Sequence, residues 1–160
     1  MGNVGAAALV VTGHLFAAGF VVLAASLFDI LDGALARATN RVTRFGGVLD
    51  STLDRLAEAL VLIALAVVFA RDGAVADVAA ASLALIGSFL VSYVRARAEG
   101  AGIQCEVGIL TRAERVVLLA LGLLLSSFSY VLLGVLGVIT VLGFVTAGQR
   151  LFHVWRQTRG

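Results

Sequence analysis

Long uncharged apolar runs, broken by short charged stretches, organise this chain of 160 residues. The first 28 residues carry no formal charge. As one helix they would reach about 42 Å at about 1.5 Å per residue, more than one membrane crossing and less than two. A break at Thr12-Gly13-His14 resolves the excess. It predicts a helical stub over residues 1–11 and a full span from about His14 to Ala38. A second span runs from about Gly46 to Ala70, and Arg71-Asp72-Gly73 forms a tight turn. Ala76 to about Glu99 is the next span, and Gly100 to Thr111 reads as a polar loop. Val116 to Gln149 holds 34 residues without a charge. That is too long for one crossing, so the pattern predicts two, reversing near Ser126-Ser127-Phe128-Ser129. The expected fold is all-α: a polytopic transmembrane helical bundle forming one domain over residues 1–160.

Composition points the same way. Mean hydropathy is +1.06. Charged residues make up 14% of the chain, against roughly a quarter in soluble domains. An ordinary soluble domain is excluded. The single Cys105 excludes an intrachain disulfide and a cysteine metal cluster. All 12 basic residues are arginine, and the net charge is only +2. This balance suits membrane anchoring and local binding of an anion, with no nucleic-acid partner. No basic stretch precedes the first apolar run, so that run does not read as a cleavable signal.

The arginines then orient the helices. Eleven of the twelve fall on one side of the predicted zigzag, and Arg71 alone falls on the other. The positive-inside rule makes the eleven cytoplasmic. The expected location is a cell (inner) membrane, crossed several times, with membrane lipid as surroundings.

Four aspartates share that cytoplasmic edge. Asp29 and Asp32 are three apart on one helix, so both carboxylates project from one face. Asp50 and Asp54 are four apart at the start of the next helix and do the same. Charged groups at a membrane are costly and mark function. Four converging carboxylates would repel one another, and a divalent cation removes that repulsion. All-oxygen ligation suits Mg2+ or Mn2+. Two such ions can clamp a phosphate and its leaving group. Gly33 and Ala36 leave the helix face bare for close approach of a ligand, and Arg37 offers a fixed fork to a phosphate or a carboxylate. Gly46 and Gly47 free the start of the next helix for close packing.

The spacing D-x2-D-G-x2-A-R-x8-G-x3-D-x3-D is met at Asp29, Asp32, Gly33, Ala36, Arg37, Gly46, Asp50 and Asp54. It resembles the signature of the CDP-alcohol phosphatidyltransferases. Eight fixed positions within 26 residues of a polytopic chain are a specific match. The resemblance implies six transmembrane helices, usually preceded by an amphipathic interfacial helix, and commonly a homodimer. The stub against that pattern leads to the expectation that an N-terminal part of the first helix is missing. The implied reaction is displacement on CDP-diacylglycerol: an alcohol oxygen attacks the β-phosphorus and CMP leaves. By this likeness Asp29, Asp32 and Asp50 ligate metal. Asp54 lies near a second metal ion and acts as general base. Asp29, Gly33, Ala36 and Arg37 contact the CMP moiety.

A second arginine set bears on the acceptor. Ser92-Tyr93-Val94-Arg95-Ala96-Arg97-Ala98-Glu99 ends one span, and Thr111-Arg112-Ala113-Glu114-Arg115 opens the next. With C-terminal arginines these could ring an anionic pocket beside the aspartates, beyond ordinary contact with lipid phosphates. A neutral alcohol needs no such pocket; a phosphorylated polyol does. The stretch is similar to that of prokaryotic phosphatidylinositol-phosphate synthases, whose acceptor is inositol 1-phosphate. The likeness carries acceptor-phosphate contacts to Arg95, Arg97, Arg115 and Arg156, with Arg150 behind Arg156 and Ser92 as a helper. Glycerol 3-phosphate, the acceptor of phosphatidylglycerophosphate synthases, is the alternative.

Other polar residues read as incidental. His14 and His153 suit interfacial and surface positions, Trp155 and Tyr130 suit interface anchoring, and Cys105 reads as a loop thiol. Gly and Ala through the spans suit close helix packing, in the bundle or in a dimer. A cation transporter is the alternative of another class. Transporters place acids near the midplane in broken or repeated helices; here the acids sit at one edge and no inverted repeat is evident.

Overall fold

The computed structural model describes residues 2–38, 43–127 and 130–159; within these, the side chains of residues 2, 3, 30, 32–34 and 36–38 are not described. Six helices and no strand are found among the described residues: α1 Gly2–Val11, α2 Leu15–Ala38, α3 Arg44–Arg71, α4 Val75–Gly100, α5 Arg112–Leu124 and α6 Val131–Thr158. These bounds lie within a few residues of those predicted from the charge pattern.

Local chemistry sets the helix ends. Thr12 Oγ1 donates to the Ala8 carbonyl at 3.0 Å, and His14 N–H reaches back to Leu9 at 2.8 Å. These bonds satisfy the last carbonyls of α1 and end it where the Thr12-Gly13-His14 break was expected. The turn after α3 uses Gly73 at φ 69°, a left-handed conformation that glycine adopts without Cβ strain. Ala74 N–H then returns to Phe69 at 2.9 Å. Thr43, in extended conformation, caps α3 by accepting from Gly46 N–H at 2.9 Å. Glu114 accepts from the Thr111 N–H at the start of α5. Hydrogen bonding by Thr111, side chain first and backbone second, holds the Glu114 carboxyl below the usual carboxylate range.

The helices pack in a chain of neighbours: α1 on α2 and α3, α2 on α5, α3 on α4, α4 on α6, and α5 on α6. Val10, Leu65, Leu123 and Leu136 lie in the shared core, wholly out of solvent. The stub α1 is therefore a packed element, its Ala6 and Val10 fully buried. Glycines allow the closest crossings. A Cβ on Gly143 would stand 3.4 Å from the Gly87 backbone, so α4 and α6 meet almost backbone to backbone. A Cβ on Gly19 would stand 2.9 Å from the Ala120 carbonyl oxygen and the Leu124 nitrogen. Gly19→Val is therefore expected to push α2 off α5 and cost about 1–3 kcal/mol. The check is the thermal unfolding midpoint in detergent; an unchanged midpoint would refute this crossing.

The outer surface is apolar. Phe16, Phe20, Leu27 and Phe28 on α2 are each more than half exposed. Such continuous apolar faces exceed what a soluble monomer presents to water. Among the described residues, α4 and α6 are long and apolar enough to cross a membrane. α5, with 13 residues, reaches only about 20 Å. It is shorter than a full bilayer crossing of about 30 Å, and it starts four residues before the expected Val116, so that its first turn carries Arg112 and Arg115.

Candidate active site

A cavity of about 790 Å³ opens where the start of α3, the end of α4, the start of α5 and the end of α6 come together. Arg44, Arg55, Arg95, Arg112, Arg115 and Arg150 line it. The alternation of helix direction brings these helix ends to one end of the bundle. Arg71 lies at the opposite end, where its Nη1 donates to the Val11 carbonyl at 3.1 Å and caps α1. Among the described arginines, the division seen in the sequence is thus a division in space.

Asp54 is half-buried on the cavity wall. Arg112 reaches it from α5, with Nη2 2.6 Å from Asp54 Oδ1. The same Nη2 stands 3.8 Å from Asp29 Oδ2 on α2. Carboxylates from α2 and α3 therefore converge around one guanidinium. Asp50 is exposed one turn before Asp54. Asp32, Gly33, Ala36 and Arg37 fall in the last turns of α2, and their side chains lie outside the described residues. Among the described residues no three His, Cys, Asp or Glu side chains share one coordination sphere. The described donors still fit a hard divalent cation. They are all carboxylate oxygens, they come from two helices, α2 and α3, and two of them already hold a cationic group between them.

Arg115 is the most buried charge of the wall, only 1% exposed. Its Nε and Nη2 donate to Glu58 Oε1 and Oε2 at 2.9 and 3.1 Å. This two-pronged pairing balances the buried charge. Its third nitrogen, Nη1, is buried without a hydrogen-bond partner among the described residues. One edge of the guanidinium is thus neutralised while another, buried in the cavity wall, keeps unspent donor capacity. Glu58 had not been expected in the site. It lies four residues after Asp54, extending the Asp50–Asp54 face by one turn, and that spacing was the available signal. Arg112 was also missed as a partner of the aspartates; its spacing to Arg115 had marked it only as part of a basic pair.

Ser92 and Arg95 line the cavity, Arg95 paired with Glu99 at 2.7 Å. Arg97 does not line it. Two residues along a helix turn the side chain by about 200°, so Arg95 and Arg97 leave α4 on different sides. Arg156 is likewise elsewhere, exposed in a separate groove with Gly108, Gln149 and His153. Arg150 takes the C-terminal place on the cavity wall instead. It is buried, donating from Nε to Val107 at 2.8 Å and from Nη1 to Val91 at 2.7 Å. Cys105 lies in the loop between α4 and α5 and is buried there. His153 is half-buried and bonded to the Gln104 carbonyl at 3.2 Å.

Comparison with known proteins agrees with this geometry. The family model of CDP-alcohol phosphatidyltransferase matches residues 3–147. The archaetidylinositol phosphate synthase of Methanothermobacter thermautotrophicus is 38% identical over 150 residues, covering 92% of this chain and 74% of that one. The phosphatidylinositol phosphate synthase of Mycobacteroides abscessus is 38% identical over 161 residues, covering 98% and 73%. Crystal structures of the Mycobacterium tuberculosis phosphatidylinositol phosphate synthase superpose with TM-score 0.86 at 36% identity over 96% of this chain. One holds CDP-DAG, with 80% of that chain covered; another is a complex with manganese and citrate, with 77% covered. Matched over most of its length by this model and these relatives, the chain is a transferase and belongs to the CDP-alcohol phosphatidyltransferase family.

Proposed function

We propose that this chain transfers the phosphatidyl group of CDP-diacylglycerol to inositol 1-phosphate and releases CMP. The observation that carries the reading is the arginine-lined cavity beside Asp54. Arg95, Arg112 and Arg115 already pair with carboxylates; a neutral alcohol would leave the charge of Arg44, Arg55 and Arg150 without an acidic partner among the described residues, and a phosphorylated polyol answers it. The names of the relatives, and the CDP-DAG and manganese bound by the mycobacterial enzyme, support the same donor, acceptor class and kind of metal.

The residues then divide the work. Asp29, Asp32, Asp50 and Asp54 would hold divalent metal, Mg2+ or Mn2+, as two ions. Bound metal would neutralise the charge of the diphosphate. Asp29, Gly33, Ala36 and Arg37 receive the CMP moiety. Arg95, Arg115 and Arg150, with Ser92, hold the acceptor phosphate. Arg112 keeps the Asp54 carboxylate turned into the cavity through their 2.6 Å contact. Asp54 accepts the proton of the acceptor hydroxyl. That oxygen forms a bond to the β-phosphorus. The bond from the β-phosphorus to the CMP oxygen breaks, and CMP leaves with the electron pair.

The enzyme works as a multi-pass protein of the cell (inner) membrane, with its cavity at the cytoplasmic edge. There a lipid-linked nucleotide and a soluble acceptor can meet. The clustering of arginines at one end supports this orientation. Homodimer formation fits the family and the small residues on the helices.

The test offers radiolabelled CDP-diacylglycerol with inositol 1-phosphate, glycerol 3-phosphate, free inositol or serine. Labelled phospholipid and CMP are expected with inositol 1-phosphate alone. Transfer to glycerol 3-phosphate in its place would overturn the acceptor assignment, and ion flux without CMP release would favour a transporter. Removing divalent metal with EDTA is expected to stop the reaction, and added Mg2+ or Mn2+ to restore it; activity that survives exhaustive chelation would refute the metal site.

A further inference from the structure

The segment between α4 and α5 is held by one stripe of α6. Thr146, Arg150 and His153 are spaced four and three apart, so they share a face. Each meets a different point of the segment's backbone. His153 Nε2 bonds the Gln104 carbonyl at 3.2 Å. Arg150 Nε donates to the Val107 carbonyl at 2.8 Å. Thr146 Oγ1 accepts from Leu110 N–H at 3.0 Å, in a fully buried contact. Gly108 lies inside this clasp at φ 132°, where an L side chain is strained. A Cβ there would also stand 2.4 Å from Thr146 Cγ2. Neither Gly108 nor Thr146 lines the cavity.

The clasp ends one residue before Thr111, the N-cap of α5. The next turn carries Arg112, on Asp54, and Arg115, on Glu58. Where Leu110 is pinned therefore decides where both guanidinium groups arrive. We propose that Thr146 and Gly108 are positioning residues for the acceptor: they fix the register of the first turn of α5, and through it the reach of Arg112 and Arg115 into the cavity. The inference rests on the reading of that cavity as the acceptor site.

Steady-state kinetics with both substrates varied tests it, on the full chain in detergent micelles. Thr146→Val removes the hydroxyl at near-constant shape. It is expected to raise the acceptor KM about tenfold, the scale of one lost buried hydrogen bond. The KM for CDP-diacylglycerol should change little, and kcat at saturating acceptor should fall by less than the acceptor KM rises, since Arg112 also steadies Asp54. Thr146→Ser keeps the hydroxyl and should restore the acceptor KM. Gly108→Ala should shift the acceptor KM in the same direction as Thr146→Val; where it does not fold, the Thr146 pair decides alone. Equal rises in both KM values, a fall in kcat alone, or no rescue by serine would each overturn the proposal. The split is read for whichever acceptor the wild type turns over. Replacement of inositol 1-phosphate by another phosphorylated alcohol would thus correct the substrate and leave the positioning test standing.

Discussion

Asp54→Asn abolishes phosphatidyl transfer, on the present reading, while CDP-diacylglycerol still binds. The amide matches the carboxylate in shape but cannot take a proton from the acceptor hydroxyl. Loss of a positioned general base lowers turnover roughly 10²–10⁴-fold. Asp54 is also the closest anion to Arg112, at 2.6 Å, so the amide releases that guanidinium as well and the loss should fall at the upper end. Donor binding depends chiefly on the end of α2 and should survive. CMP release gives the turnover, and retention of radiolabelled CDP-diacylglycerol gives the binding. Normal turnover in this variant would remove Asp54 as the base.

The second large effect lies at Arg115. Arg115→Met leaves Glu58 charged in a buried place, since Glu58 is 8% exposed and Arg115 is its partner through two hydrogen bonds. Removing one member of a buried ion pair costs about 3–5 kcal/mol, mostly as the penalty on the stranded charge. Replacing both members, as Arg115→Met with Glu58→Met, removes that penalty and should return most of the lost stability. It should not return activity, because the Arg115 guanidinium of the cavity wall is gone in both variants. Unfolding midpoints and transfer rates measured side by side separate the two roles. If the single variant is no less stable than the double, Glu58 is not the stranded charge. If the double regains transfer, Arg115 acts only in folding.

Much of this was legible before any coordinates, and the reasons are physical. Charges in a chain this apolar can stand only at membrane edges, so their intervals mark helix ends; hence α2, α3 and α4 begin and end close to where they were expected. The aspartate spacing put Asp50 and Asp54 on one face of α3 for the same reason of helical period, and Asp29 and Asp54 meet at Arg112. What was not legible depended on which way a helix turns. Arg97 and Arg156 sit close in sequence to arginines that line the cavity, but rotation about α4 and α6 carries them out of it. Nor could the sequence say that Arg112 would bridge Asp54 and Asp29, because that contact joins three helices whose relative rotation is set by crossings such as Gly19 on α5. The same holds for the buried Cys105, which lies in the segment between α4 and α5, a stretch with no period of its own.

The ring of arginines has a kinetic consequence. Of the six guanidinium groups in the recess, those of Arg44, Arg55 and Arg150 have no ion-pair partner among the described residues, and their field gathers anions from solution and speeds their encounter with the enzyme. CMP is an anion too, so the field that hastens arrival retards departure. Dissolved ions weaken both over about 8–10 Å. Salt then trades slower capture of the acceptor for quicker escape of the spent nucleotide, and throughput is set by the balance between the two.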